Sequence, residues 1–148
     1  MTKRTRAIMI AAMCVGAGLF LSGGIADEEK KTATLSEDPK GNFAVRVTNQ
    51  SEDMSDIDVQ VYIDDKLAVS RDSLATAGFH SFHTYRFELP TGKHNLKVVS
   101  RKAGIETEKE FVLKGEHSAD ISFWCSNSRS IPKKFNVVVK QGGLPPTL

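Results

Sequence analysis

The chain has 148 residues, 40% of them hydrophobic and 26% charged, with a formal net charge of +2. These proportions belong to a chain that buries a core, and the length suits one domain plus a short extra segment. The small charge, without an acidic or basic block, argues against a nucleic-acid partner, and two cysteines cannot build a disulfide framework.

Lys3, Arg4 and Arg6 precede a run, residues 7–26, that carries no charge. The run exits through the small residues Ser22, Gly23, Gly24 and Ala26, and Asp27 and Glu28 follow. A basic start, an apolar stretch and a small-residue exit predict an N-terminal signal helix over 1–26, cleaved after Ala26. The mature protein is then exported, to the periplasm or outside the cell. An uncleaved anchor needs about twenty apolar residues. The run reaches that length, but Gly16, Gly18, Gly23 and Gly24 weaken it as a helix. Membrane attachment is therefore open only to an uncleaved 7–26 segment. Cys14 sits in mid-run behind Met13, which is wrong for lipidation. Without the signal, 122 residues remain, with 17 basic and 18 acidic side chains and a net charge of −1. A chain of that size buries about two thirds of its unfolded surface.

Residues 27–41 are polar, interrupted by Leu35 and Pro39, and read as a flexible leader. From Asn42 the pattern alternates, the signature of half-buried strands. Phe43, Val45 and Val47 mark the first. Ile57, Val59, Val61 and Ile63 mark the second, the most regular in the chain. Asp64 and Asp65 then make a hairpin turn into Leu67 and Val69. After a loop at 72–81, Tyr85, Phe87 and Leu89 alternate. Leu89-Pro90-Thr91-Gly92 reads as a type I turn, with Leu96 and Val98 on the return strand. Gly104 and Gly115 punctuate two further expected hairpins. Ala119, Ile121, Phe123 and Cys125 share the inward face of the next strand, with Ser118, Asp120, Ser122 and Trp124 facing out. A polar loop, 126–134, leads to Phe135, Val137 and Val139. The end, 141–148, is a tail rich in proline and glycine that cannot continue as a central strand.

About eight strands with turns every 8–12 residues predict an all-β protein, an immunoglobulin-like β-sandwich over 42–140. A closed barrel is the competitor. The two longer loops, 72–81 and 126–134, suit crossings between sheets. Ten residues should be mostly buried: Val59, Val61, Tyr85, Phe87, Leu96, Val98, Ile121, Phe123, Phe135 and Val137.

Three stretches carry a resemblance. Val45 to Ser51 ends a strand in an asparagine turn. Asp58 to Asp65 is a strand with an Asp-rich hairpin. Leu89 to Leu96 is a Pro/Gly turn into a Gly-x-His-x-Leu strand. Together they resemble the immunoglobulin-like modules of bacterial surface proteins, nearest the CARDB type (cell-adhesion-related domains), over about residues 42–113. The resemblance implies the sandwich and a setting outside the cytoplasm, and it carries over no catalytic residue.

The chemistry of the chain is sparse. His80 and His83 have a spacing that a bent loop could bring to one metal, but a structural zinc needs four ligands. Nothing in the sequence places His94 or His117 beside them, so the histidines read as surface or rim residues. A blue-copper site fails because no histidine or methionine follows Cys125. Cys125 shares its face with Ile121 and Phe123 and reads as an inert buried thiol. The nucleophile, zinc-protease and phosphate-loop motifs are missing. Asp56 and Asp58 read as solvent-facing and Asp64 and Asp65 as a turn, without the spacing of a calcium loop. Asn49-Gln50-Ser51 matches a glycosylation sequon and reads here as a turn. The outward aromatics Trp124 and Tyr62 are the candidate contacts. The expected function is binding or scaffolding of a protein or an envelope polysaccharide, without catalysis, cofactor or metal. The alternative is a small exported metal- or thiol-dependent protein centred on His80 and His83 or on Cys125.

Overall fold

A computed structural model describes residues 33–78 and 81–144. The expected signal helix, residues 27–32 of the leader, His80 and the last four residues lie outside these. Eight strands follow in order: β1 (Phe43–Asn49), β2 (Asp56–Ile63), β3 (Lys66–Ala75), β4 (His83–Phe87), β5 (Gly92–Ser100), β6 (Ile105–Leu113), β7 (His117–Ser126) and β8 (Ile131–Gln141). They form two four-stranded sheets, ordered β4-β1-β7-β8 and β3-β2-β5-β6. This is a β-sandwich, all-β among the described residues, and not a closed barrel.

Alternation builds the core. Ile57, Val59, Val61 and Ile63 are at most 1% exposed, because a strand sends every second side chain to the same face. Opposite them, Phe43, Val45 and Val47 of β1 and Ile121 and Phe123 of β7 are equally buried. Phe43 stacks on Phe111 across the sandwich at 4.9 Å, and Phe123 meets Phe135 edge-on at 5.6 Å. Each such ring contributes about 2–3 kcal/mol through the area it removes from water. Of the ten residues expected inside, Tyr85 is only half-buried. It lies on the edge strand β4, and its hydroxyl accepts a hydrogen bond from Arg71 Nη1 of the other sheet at 3.1 Å.

Asp64 (φ 49°) and Asp65 (φ 63°) form the two-residue hairpin turn between β2 and β3. The connections around β7 differ from expectation in two places. Gly115 lies between β6 and β7, which belong to different sheets, so its turn is a crossing and not a hairpin. The 126–134 segment is the reverse case. β7 and β8 pair antiparallel down to Ser126 and Ile131, so it is a hairpin with a short turn and not a crossing. Ser130 takes the left-handed position (φ 54°) where glycine would have signalled the turn. The crossing expected at 72–81 does join the two sheets, from β3 to β4, although β3 runs on to Ala75.

β1 and β7 are central neighbours and run parallel, with Phe43 opposite His117 and Asn49 opposite Phe123. Strand direction therefore gives the sandwich two ends. The lower end holds residues 38–42, the 64–65 turn, and loops 88–91 and 114–116. The upper end holds 50–55, 76–78, 81–82, 101–104 and 127–130.

The leader is not free over its described part. Leu35 N–H donates to Leu67 O, and Leu67 N–H to Ala33 O, each at 2.8 Å, which lays the leader along the edge of β3. Asp38 N–H then donates to Arg86 O of β4 at 2.9 Å. Residues 33–38 thus reach an edge of each sheet. Gly41 follows, where any Cβ would collide with the Phe87 carbonyl.

Candidate functional site

Trp124 lies between the buried Phe123 and Cys125 on β7, so it points out of the sandwich, partly buried. Its cross-strand partner is Lys134 of β8. One step along, Ser122 stands between Thr48 of β1 and Asn136 of β8. The next row places Asp120 between Arg46 and Val138. Asp120 forms an ion pair with Arg46 Nη1 at 3.2 Å and accepts a hydrogen bond from Lys140 Nζ at 2.7 Å. The Arg46 guanidinium also lies over the Phe82 ring, 4.3 Å from its centroid. Gln50 Nε2 donates to Thr48 Oγ1 at 2.9 Å. The face thus combines an indole, hydroxyls, amides and cations, of which Arg46 and Lys140 are held by Asp120. Lys134, Asn136 and Val138 stand in solvent. Such a face can stack and hydrogen-bond, but it holds no nucleophile with a base beside it.

Tyr62 points outward from β2, between the buried Val61 and Ile63. β2 belongs to the other sheet, so Tyr62 and Trp124 occupy opposite outer faces and do not form one contact surface. Tyr62 donates its hydroxyl to Gln60 Oε1 at 3.1 Å and lies opposite Lys97 of β5. Lys97 in turn pairs with Glu106 at 3.5 Å and Glu108 at 3.7 Å. This outer face is the more acidic.

The histidines are dispersed. His83 opens β4 at the upper end and is exposed, and His80 lies outside the described residues. His94 and His117, expected at the surface or rim, are buried at 7% and 9% exposure. Both lie at the lower end, away from His83. Among the described residues no three His, Cys, Asp or Glu side chains gather where they could hold a metal. Cys125 is 7% exposed, and its carbonyl accepts hydrogen bonds from Ser51 Oγ and Glu52 N–H, both at 3.0 Å.

The most developed polar site escaped the sequence. The His94 ring lies 2.6 Å from Asp64 Oδ2 through Nδ1 and 2.7 Å from Pro90 O through Nε2. Asp64 Oδ1 accepts Asn95 N–H at 2.9 Å. Burial pulls the imidazole pKa down, but the hydrogen bonds to Asp64 and Pro90 more than offset it, and the value rises above the usual one. Burial likewise opposes ionisation of Asp64, while Asn95 N–H and His94 hold its carboxyl below the usual range. The Asp-rich hairpin and the Gly-x-His-x-Leu motif were both visible in the sequence. Their meeting was not, because 30 residues separate Asp64 from His94.

Asn49 is fully buried, and its amide donates to Met54 O at 3.0 Å and Leu74 O at 3.1 Å while Oδ1 accepts Ser51 N–H at 2.9 Å. The sequon asparagine is thus committed to the turn that follows β1.

Compared with known proteins, the chain matches no family profile and no curated protein.

Proposed function

We propose that this chain is an exported, non-catalytic immunoglobulin-like module that binds a protein or envelope polysaccharide through the outer face of the β4-β1-β7-β8 sheet. The observation that carries the reading is Trp124, a partly buried, outward-pointing indole set in a row of polar side chains. Aromatic side chains of this kind are enriched at interfaces because they bring large area and a polar handle at small entropic cost. The immunoglobulin-like assignment draws support from strand order. β1 and β4 are neighbours in one sheet, and β3, β2, β5 and β6 are neighbours in the other, as B and E, and C′, C, F and G, are in that fold. These six strands span residues 43–113, the stretch that resembles the CARDB type. The β7–β8 hairpin is an addition, and β7 takes the place beside β1 in parallel. Export rests on the composition of residues 1–26 and on the surface-protein resemblance.

The test has two arms. N-terminal sequencing of the exported form is expected to begin at or near Asp27, and Met1 retained in membranes would favour an anchor. A pull-down from the envelope fraction supplies the partner. Trp124→Ala is then expected to weaken binding by about 2 kcal/mol or more, the level of an interface hot spot, with the melting temperature nearly unchanged. A lowered melting temperature with intact binding would place the contact surface elsewhere.

A further inference from the structure

The hydrogen-bond chemistry around His94 fixes its charge. A neutral imidazole has one N–H and one lone pair. Here one ring nitrogen faces a carboxylate at 2.6 Å and the other faces a peptide carbonyl at 2.7 Å. Neither partner can donate. Both contacts are hydrogen bonds only if both ring nitrogens carry protons. The ring is 5% exposed and rests against Phe111, 5.5 Å between centroids, so water does not readily replace a lost partner.

We propose that His94 is a pH-operated clasp: its imidazolium ties the β2–β3 turn to the β4–β5 loop, and deprotonation releases one of the two. On losing a proton the ring keeps a single N–H. If Nδ1 retains it toward Asp64, the Nε2 lone pair faces the Pro90 oxygen, two acceptors at 2.7 Å, and the loop must withdraw. If Nε2 retains it, the lone pair at Nδ1 faces the carboxylate, which is worse.

The surroundings leave Asp64 as the group that sets the charge. From β6, Phe111 faces the ring, with Phe43 of β1 stacked behind it, and neither titrates. Glu110 lies opposite Asn95, on the outer face. From the β4–β5 loop, Pro90 offers its carbonyl, and Glu88 is turned toward Asn42 N–H at 3.1 Å. Lys93 beside His94 is exposed, and Lys66 at the far side of the turn acts on Asp64 by stabilising its charge.

The sign follows from the two groups. The clasp is complete when Asp64 is ionised and His94 protonated. It is lost as pH rises through the raised histidine value, and again as pH falls through the lowered carboxyl value.

The experiment is a ¹⁵N and ¹³C NMR titration of the full protein. At pH 6, both His94 ring nitrogens are expected to be protonated, and the midpoint to lie above the usual value of about 6.5. Amides at 64–65 and 91–95 should move with that midpoint. Above it their hydrogen-exchange protection, relative to upper-end amides, should fall by about fivefold or more, the equivalent of one net hydrogen bond. Asp64→Asn should lower the midpoint by about one unit or more, as loss of an adjacent opposite charge does. A ring with one protonated nitrogen at pH 6, or a titration that leaves the protection of these turns unchanged, would overturn the clasp. So would an unmoved midpoint in Asp64→Asn. The wild-type titration decides the matter if that variant does not fold.

Discussion

At the upper end of the sandwich the loops are held by carboxylates and one buried amide, and at the lower end by an imidazole paired with Asp64, the Glu88 carboxylate and a second amide. Above, Glu52 accepts Ser126 Oγ at 2.6 Å and pairs with Arg129 at 2.7 Å, which joins the β1–β2 loop to the β7–β8 turn. Asp58 caps the β5–β6 turn, accepting Lys102 N–H and Ser100 Oγ at 2.8 Å and Arg101 N–H at 3.1 Å. Asp56 takes Lys102 Nζ at 2.6 Å. Below, Asn42 exchanges two hydrogen bonds with the Leu89 backbone, at 2.8 and 3.0 Å, beside the His94 junction. The same architectural task, closing an open end over a shared core, is done with groups that titrate in different ranges.

The difference sets the pH behaviour. Hydrogen bonds hold these three carboxyls below their usual range: from Ser126 at Glu52, from Lys102 at Asp56, and at Asp58 from Lys102 N–H against the opposing effect of burial. A lowered folded value means stability that is present above about pH 4 and is lost as pH falls through the folded value. A raised value, as at His94, means stability present in full below about pH 6.5 and lost as pH rises through the folded value. Acid therefore loosens both ends and mild alkali only the lower one.

Phe123→Ala attacks the core that both ends cover, and is expected to have the largest effect, about 3–5 kcal/mol. Hydrogen exchange should rise at both ends together, and denaturant unfolding measures the loss. A cost under about 1 kcal/mol would mean that the ring does not fill the core. Asn49→Ala strands two carbonyls and an N–H at the upper end alone, at a cost of about 2–3 kcal/mol. Cys125 reports on it directly. The native thiol should resist a thiol reagent, and the variant should label faster while the 64–65 and 91–95 amides keep their protection. Asp58→Asn should cost about 1–2 kcal/mol near neutral pH. Its cost should shrink as pH falls, because a protonated Asp58 is as poor an acceptor as the amide. Parallel stability curves down to pH 2 would remove Asp58 from the acid response. Trp124→Ala lies outside both ends and should change stability least, by less than about 1 kcal/mol, read from the same denaturation curves.

Much of the fold was legible because facing is a local property. A period of two in Ile57 to Ile63, or in Ala119 to Cys125, fixes which side chains go inside whatever the neighbouring strands are. The Asp64-Asp65 turn was equally readable, since aspartate tolerates a positive φ. Partnership is not local. Gly115 signals a reversal of direction but not whether the next strand joins the same sheet, and Ser130 turns the chain without a glycine to announce it. The parallel seating of β7 beside β1, the leader's hold on β3 and β4, and the meeting of Asp64, Pro90 and His94 each depend on which distant backbone offers unpaired groups. Alternation along one strand is silent about that. The sequence by itself determined the strands, their inward faces and the outward Trp124. Only the tertiary structure decided that Tyr62 lies on the opposite face and that a histidine expected at the surface is buried between a carboxylate and a peptide carbonyl, because both follow from contacts between segments far apart in the chain.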